Sequence, residues 1–349
     1  MDKIALLQSE QAFPFIDYMI STGMPAAKYL EQANLPLSLL EHRSGMIMEK
    51  HLWQLLDNVS EQESLHDFGL CVGNKVNIEV LLKGIMPRLM AQPTLLGMLQ
   101  AFSQLVNEES SDATFWLTPS DNPDKYWFCR GGVPGIQTGE RDAELYTLVL
   151  MIKLVRLLTG PDWVPDCIHL KTSDSRGLQS HEYFHSNLVK LNEKATAIEV
   201  PSHQLNKLFF DTLSTASIRN EQKTQVKYNP IFNERFSVSL SEVLSLYFAS
   251  DNLDLKHAAD MLGISARTLQ RQLSKESTNY AKIVDLIRFN SAIPLLKDKK
   301  NKLVDIAYDL GYSDPAHFSR AFKRWSGVSP REFRCSLQAQ NTPELVNPI

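Results

Sequence analysis

The chain has 349 residues, 43% of them hydrophobic, and 36 Lys and Arg against 40 Asp and Glu give a net charge of −4. That is enough apolar chain for two ordinary domains, each with its own core, and the net charge is that of an ordinary soluble protein. Four dispersed cysteines, Cys71, Cys129, Cys167 and Cys335, lack the close pairing of zinc or redox sites and read as reduced thiols.

The start, Met1 to Leu7, shows no uninterrupted apolar run and no small-residue cleavage pattern. The longest apolar stretch, Tyr146 to Leu158, is broken by Lys153 and Arg156 and is too short to span a bilayer. A cytoplasmic protein with no membrane partner is expected. Helical periodicity then predicts helices at Phe13 to Met19, Met24 to Glu31, Lys50 to Val59, Phe68 to Val72, Val80 to Ala91 and Thr94 to Val106. The pattern changes at Ala113 to Leu117 and Lys125 to Cys129, two aromatic-rich strands separated by a turn at Thr118 to Asp124. A Gly/Pro loop follows, then a long apolar helix from Arg141 to Leu158 that stops at Gly160-Pro161. Cys167 to Leu170 and Ala197 to Val200 read as further strands, and Ser202 as the cap of a last helix. Polar, helix-poor Asn220 to Pro230 suits a linker.

The final third carries one helix-turn-helix pattern twice, over Ala258 to Leu273 and over Ile306 to Phe322. Ala259, Leu262, Gly263 and Ser265 recur 48 positions later as Ala307, Leu310, Gly311 and Ser313. Leu269, Arg271 and Leu273 recur 49 later as Phe318, Arg320 and Phe322, so the second copy has one extra residue after its turn. Each position has a mechanical reason. The alanines let two helices cross closely, and the leucines plug the angle between them. The glycines end the first helix in the left-handed region, and the serines offer an N-cap oxygen to the second. Leu269 with Leu273, and Phe318 with Phe322, lie four apart and face inward.

The outward positions of each second helix are the candidate DNA contacts, because this helix is the one such motifs present to the major groove. They are Ser265, Arg267, Thr268, Gln270, Arg271 and Lys275 in the first copy, and Ala316, His317, Ser319, Arg320, Lys323 and Arg324 in the second. Arginine suits guanine edges and glutamine adenine edges, while serine, threonine and histidine commonly meet phosphate. From Asn233 to Cys335 there are 16 Lys and Arg against 12 Asp and Glu, leaving 20 against 28 elsewhere. A modest basic excess placed on the motifs suits a short specific site.

On these residues the chain resembles the AraC/XylS family of bacterial transcription regulators. Ile306-Ala307, Leu310-Gly311-Tyr312-Ser313, the run His317 to Arg324, Gly327, Ser329-Pro330 and Phe333-Arg334 follow that family's signature. Arg288, Ala292 and Leu295-Leu296 match the helix joining its two motifs, so the match spans Phe236 to Arg334. Pro294 departs from it, and a kink or break is expected there because proline removes a helix hydrogen bond and crowds the carbonyl of Asn290. The first half is similar, in order and spacing more than in identical residues, to the amino-terminal domain of the branch that regulates ornithine utilisation. The matching parts are the hairpin, the long helix, the strand after it, Tyr183-Phe184 and Ala195 to Phe210. The resemblance implies a mixed domain that senses a small molecule and helps to dimerise, not the jelly roll of the arabinose regulator, so arabinose is not carried over.

Two patterns imitate other chemistry. His181-Glu182-Tyr183-Phe184-His185 fits the H-E-x-x-H zinc motif, but it lacks long apolar flanks and a third ligand, and in the family its position is a short surface helix. A solvated or capped histidine pair is expected. Gly131 to Gly139 is glycine-rich and precedes a helix, yet it contains proline and no Gly-Lys-Ser/Thr, so it reads as a plain connection beside an effector pocket.

The expected architecture is therefore an α+β amino-terminal effector-sensing and dimerisation domain (1–215), a linker (216–232), an all-α domain with two helix-turn-helix motifs (233–335) and a tail (336–349). Its partners would be double-stranded promoter or operator DNA, RNA polymerase, a small-molecule effector and a second copy of the chain, at the nucleoid. No catalytic residue, metal or cofactor is expected. Two rivals fit the same residues: a ligand-independent regulator whose first domain only dimerises or contacts RNA polymerase, and a metal-dependent enzyme fused to a DNA reader. The dispersed cysteines weigh against the second. No cluster names an effector, since Trp53, Trp116, Trp127 and Trp163 suit core packing as well as a pocket.

Overall fold

The computed structural model describes residues 4–41, 45–106, 113–131, 139–185, 188–207, 235–247, 254–298 and 300–339. They fall into two units, one within 4–233 and one within 234–349. The linker expected at 216–232 and most of the tail lie outside the described residues.

In the first unit the helices are α1 (Phe13–Ser21), α2 (Ala26–Gln32), α3 (Glu49–Gln62), α4 (Phe68–Lys75), α5 (Ile78–Leu81), α6 (Met86–Met90), α7 (Leu95–Leu105), α8 (Glu140–Thr159) and α9 (Ser202–Leu205). Strands β1 (Leu6–Gln8) and β2 (Met46–Met48) form an antiparallel pair. A second sheet contains β3 (Phe115–Pro119), β4 (Lys125–Arg130), β5 (Cys167–His169), β6 (Leu188–Lys190) and β7 (Thr196–Pro201), in the order β3-β4-β7-β5-β6. Its neighbours are antiparallel except β5 and β6.

The expected hairpin is β3–β4, with Phe115 opposite Arg130 and Pro119 opposite Tyr126. Alternation along β4 puts Phe128 into the core while Trp127 turns to the other face and lies against His169, ring centres 4.0 Å apart. Phe128, Ile168, Ile198 and Val200 of the sheet meet Leu148, Val149 and Ile152 of α8 and Leu99 and Phe102 of α7 in one buried cluster. The carboxylate of Glu144 on α8 ties helix to sheet, accepting from the backbone N–H of Lys171 (2.7 Å) and Thr172 (3.1 Å) and from the Thr196 hydroxyl (2.6 Å). Helix α4 crosses α8 so closely that a Cβ at Gly69 would sit 2.0 Å from the Asp142 carbonyl oxygen. Only glycine fits that crossing.

The second unit is all helical: α10 (Phe236–Tyr247), α11 (Leu255–Leu262), α12 (Ala266–Lys275), α13 (Tyr280–Lys297), α14 (Leu303–Asp309), α15 (Pro315–Ser326) and α16 (Pro330–Ala339). Helix α13 packs against α10, α14 and α16. Ala292 and Leu296 of α13 share a buried cluster with Ile306, Ala307, Leu310, Phe318 and Phe322.

Several expectations need correction. The helix expected from Val80 to Ala91 is two short ones, α5 and α6, because Pro87 falls in the first turn of a new helix, where its missing N–H costs nothing. Ser202 is the first residue of α9, not its cap. The cap position is Pro201, and the Ser202 N–H donates to the Asp124 carbonyl at 2.7 Å. The pair β1–β2 leaves no mark in the sequence, because its residues are nearly all buried and show no alternation. The three-residue edge strand β6 was too short to read. Helix α13 runs through Pro294 to Lys297 without the expected break. Its last turn is held from outside: Asn301 Nδ2 donates to the Leu295 carbonyl at 3.2 Å and Arg334 Nε to the Leu296 carbonyl at 3.2 Å.

Candidate nucleic-acid interface

Both motifs close their first helix in the same way. Gly263 has φ +68° and Gly311 φ +76°. In the first copy the Gly263 N–H donates to Asp260 at 2.9 Å and the Ile264 N–H to Ala259 at 3.0 Å. In the second the Gly311 N–H donates to Tyr308 and the Tyr312 N–H to Ala307, both at 2.9 Å. Two orphan carbonyls are satisfied each time, and the chain turns at a fixed angle into the next helix.

The next helices start differently. Ser265 caps α12 as expected, its Oγ accepting from the Thr268 N–H at 3.1 Å. Ser313 does not cap α15. Asp314 does, its Oδ1 accepting from the Ala316 N–H at 2.9 Å, with Pro315 at the head of the helix. The extra residue of the second copy is absorbed here, since Pro315 fixes the first helical φ and leaves Asp314 as the half-in residue.

Leu269, Leu273, Phe318 and Phe322 are buried, which fixes the outward faces. On α12, Arg267, Gln270, Arg271 and Lys275 are exposed and Thr268 is half-buried. On α15, Ala316, His317, Arg320, Lys323 and Arg324 are exposed and Ser319 is half-buried. Three of the candidates have hydroxyls already engaged. Ser265 Oγ lies 2.9 Å from Thr268 Oγ1, and the Ser319 hydroxyl donates to the Pro315 carbonyl at 3.0 Å. His317 Nε2 stands 4.0 Å from Asp314 Oδ2. Arg324 pairs with Asp285 on α13 at 2.8 Å. The two motifs are separated by α13, whose 18 residues extend about 27 Å at 1.5 Å per residue.

Sequence reading missed the polar fastenings of this unit. Glu276, just past α12, accepts from the N–H groups of Phe236 (2.8 Å) and Ser237 (3.0 Å) and so caps α10. Burial pushes its carboxyl up, but the hydrogen bonds from Ser237 and Phe236 prevail and hold it below its ordinary value. Ser329 and Glu332 bond reciprocally at the start of α16, a capping box visible in the S-P-R-E sequence. Arg334, counted among the basic residues, also donates to the Asn301 carbonyl at 3.0 Å.

In the first unit the zinc-like motif is not an α-helix. Glu182–Phe184 is a single 3-10 turn, so its two histidines do not share a helical face. His181 Nε2 lies 3.0 Å from Asp67 Oδ2 and its Nδ1 3.2 Å from Asn74 Nδ2, while His185 faces the Gln179 carbonyl. Asp67, Cys71 and His181 gather within 4.8 Å, a trio the sequence hinted at only through the four-residue spacing of the first two. Both ring nitrogens of His181 are nevertheless occupied by side chains. Of the glycine-rich loop, 132–138 lies outside the described residues. Among the tryptophans, Trp53 is buried and Trp116 is 40% exposed. No helix among the described residues is long and apolar enough to cross a membrane.

Two helix-turn-helix motifs joined by one long helix define the second unit as a double helix-turn-helix domain, and the first unit is an α+β domain built on a five-stranded sheet. A family model described as the arabinose-binding amino-terminal domain of the AraC transcription regulator matches residues 23–208, and a helix-turn-helix domain model matches 258–336. The chain belongs to the AraC family of transcription regulators. It is 34% identical over 163 residues to the HTH-type transcriptional regulator VqsM of Pseudomonas aeruginosa, covering 45% of this chain and 49% of VqsM. To the ornithine utilization regulator of that organism it is 38% identical over 81 residues, 23% of this chain and 24% of the relative. To the HTH-type transcriptional activator RhaS of Escherichia coli O157:H7 it is 35% identical over 86 residues, 24% of this chain and 31% of RhaS. The matched stretches thus span about half the length of VqsM and less of the others. The solved structure of the transcriptional regulator CdpR from Pseudomonas aeruginosa aligns over 88% of this chain and 96% of its own, at 17% identity and a TM-score of 0.38.

Proposed function

We propose that this chain is a sequence-specific DNA-binding transcription regulator, acting as an activator, whose first unit senses a small molecule and dimerises. The observation that carries the reading is the doubled motif, with matched glycine stops, buried inward residues and an exposed basic face on each second helix. In this account α12 enters one major-groove segment with Arg267, Gln270 and Arg271, and α15 enters the next with Ala316, Ser319 and Arg320, about one helical turn of DNA away. Lys275, His317 and Lys323 lie at the edges and meet phosphates, while Ser265 and Thr268 position the start of α12 against the backbone. Activation through RNA polymerase follows the likeness to RhaS, whose name states that it is an activator.

The test is footprinting of the full chain on promoter DNA. Protection of two segments one turn apart on one face of the duplex is expected. Binding with no sequence preference at near-physiological salt would overturn the reading.

A further inference from the structure

Between α1, α3, α7, α8 and the β3–β4 hairpin the first unit holds a cavity of about 130 Å³. An apolar cavity of roughly 150 Å³ is enough to take up a benzene ring. The wall is mostly carbon, from side chains such as Phe15, Trp53, Phe115 and Leu150. Polar side chains interrupt it, Gln11 and Thr147 among them, and three more come from Arg130, Glu49 and Tyr146. Arg130, the last residue of β4, is 7% exposed and sets its guanidinium over the Trp53 ring, 5.8 Å from its centre. Glu49, the first residue of α3, is 5% exposed and is the carboxylate that most offsets the charge of Arg130. Tyr146, on α8, is buried, and its hydroxyl has no hydrogen-bond partner among the described residues.

Stability does not account for this arrangement. Opposite charges buried together are commonly no better than apolar side chains of the same size, and a buried hydroxyl without a partner costs about 1–3 kcal/mol. Phenylalanine at 146 would pack as well without that cost. Polar groups buried at a cost around an unfilled apolar space are the composition of a small-molecule site. Burial pushes the Tyr146 hydroxyl far above its ordinary value, so it keeps its proton and can donate.

We propose that this cavity is the effector site, and that it takes a net-neutral molecule with an apolar body of about benzene size and one strong hydrogen-bond acceptor, such as an aryl ketone or ester. The assignment rests on the sensing role given to this unit above. Net neutrality follows from the charges already present. Arg130 faces Glu49, Glu144 and Glu140, so an anion would meet these carboxylates and a cation would meet the Arg130 guanidinium, and a neutral ligand meets neither penalty. The acceptor follows from Tyr146, which has a proton to give, and from Arg130, which can only donate.

The test uses the full chain with acetophenone as probe, benzoate as its charged counterpart, and the Y146F variant. Saturable quenching of tryptophan fluorescence and a rise in melting temperature are expected with acetophenone and not with benzoate. Y146F should melt no lower than the parent and bind acetophenone about 3- to 10-fold more weakly, the loss of one neutral hydrogen bond. Binding of benzoate in preference, binding of neither, or undiminished binding by Y146F would each overturn the assignment. These readouts need no DNA. A chain that ignores acetophenone yet selects a DNA sequence loses only this site, whereas one that binds it but selects no DNA loses the regulator reading.

Discussion

The guanidinium of Arg324, near the end of α15, lies 2.8 Å from Asp285 Oδ2 on α13, with 65% and 30% of the two side chains exposed. From sequence, Lys323 and Arg324 are equivalent phosphate contacts. The ion pair separates them, because Arg324 is already directed toward the joining helix. Lys323→Ala should therefore weaken binding to all sequences alike and reduce the slope of log K against log salt by about one. Arg324→Ala should leave that slope nearly unchanged and alter stability by no more than about 1 kcal/mol, as exposed pairs do. Equal slopes for the two variants would remove the distinction.

Arg271 is exposed on α12 between buried Leu269 and Leu273. Arg271→Ala should cost about 1–3 kcal/mol at a cognate site and relax one base position. Titrations on cognate and random duplexes decide it, since equal losses on both would make Arg271 a phosphate contact.

Glu276 couples the end of one helix to the start of another through the N–H groups of Phe236 and Ser237. Replacing it by alanine should cost about 1 kcal/mol, the scale of a lost helix cap, measured as a shift in the denaturant midpoint. Its carboxyl sits below the ordinary value in the folded state. The contribution is then present in full above the unfolded carboxylate pKa and disappears as pH falls through the lower folded one. A parent-to-variant difference that persisted at pH 2 would rule this linkage out.

Two glycines should respond to alanine for different reasons. At Gly69 the new Cβ would collide with the backbone of Asp142, and the damage should be several kcal/mol or failure to fold, because backbone cannot step aside as a side chain can. At Gly311 there is room, the nearest atom being 4.0 Å away, and only the positive φ is penalised. A cost of about 1 kcal/mol is expected there. Thermal melts of the two variants give the comparison, and a larger loss at Gly311 than at Gly69 would contradict it.

What the sequence made legible follows from how local each signal is. Gly263, Gly311, Leu269, Phe318 and the cap at Ser265 declare themselves within one motif, and each sits as expected. Asp314 displaced Ser313 as cap because Pro315, one residue on, fixed where the helix begins, a detail present in the sequence but overridden by the repeat. Glu276, Asp285 and Arg334 act across 33 to 40 residues, and nothing near them in sequence names their partners. The same holds for the cavity. Glu49, Arg130 and Tyr146 come from three distant segments, and only the crossing of α3 and α8 beside β4 makes them neighbours.

In the proposed function two reading heads in one chain recognise DNA together. Selection of bound duplexes from a random library at near-physiological salt, with the parent chain and the R271A and R320A variants in parallel, tests it most directly. A bipartite motif with halves one helical turn apart, each half degraded by its own variant, is expected. A single undivided motif damaged equally by both substitutions, or no enriched sequence at all, would contradict it.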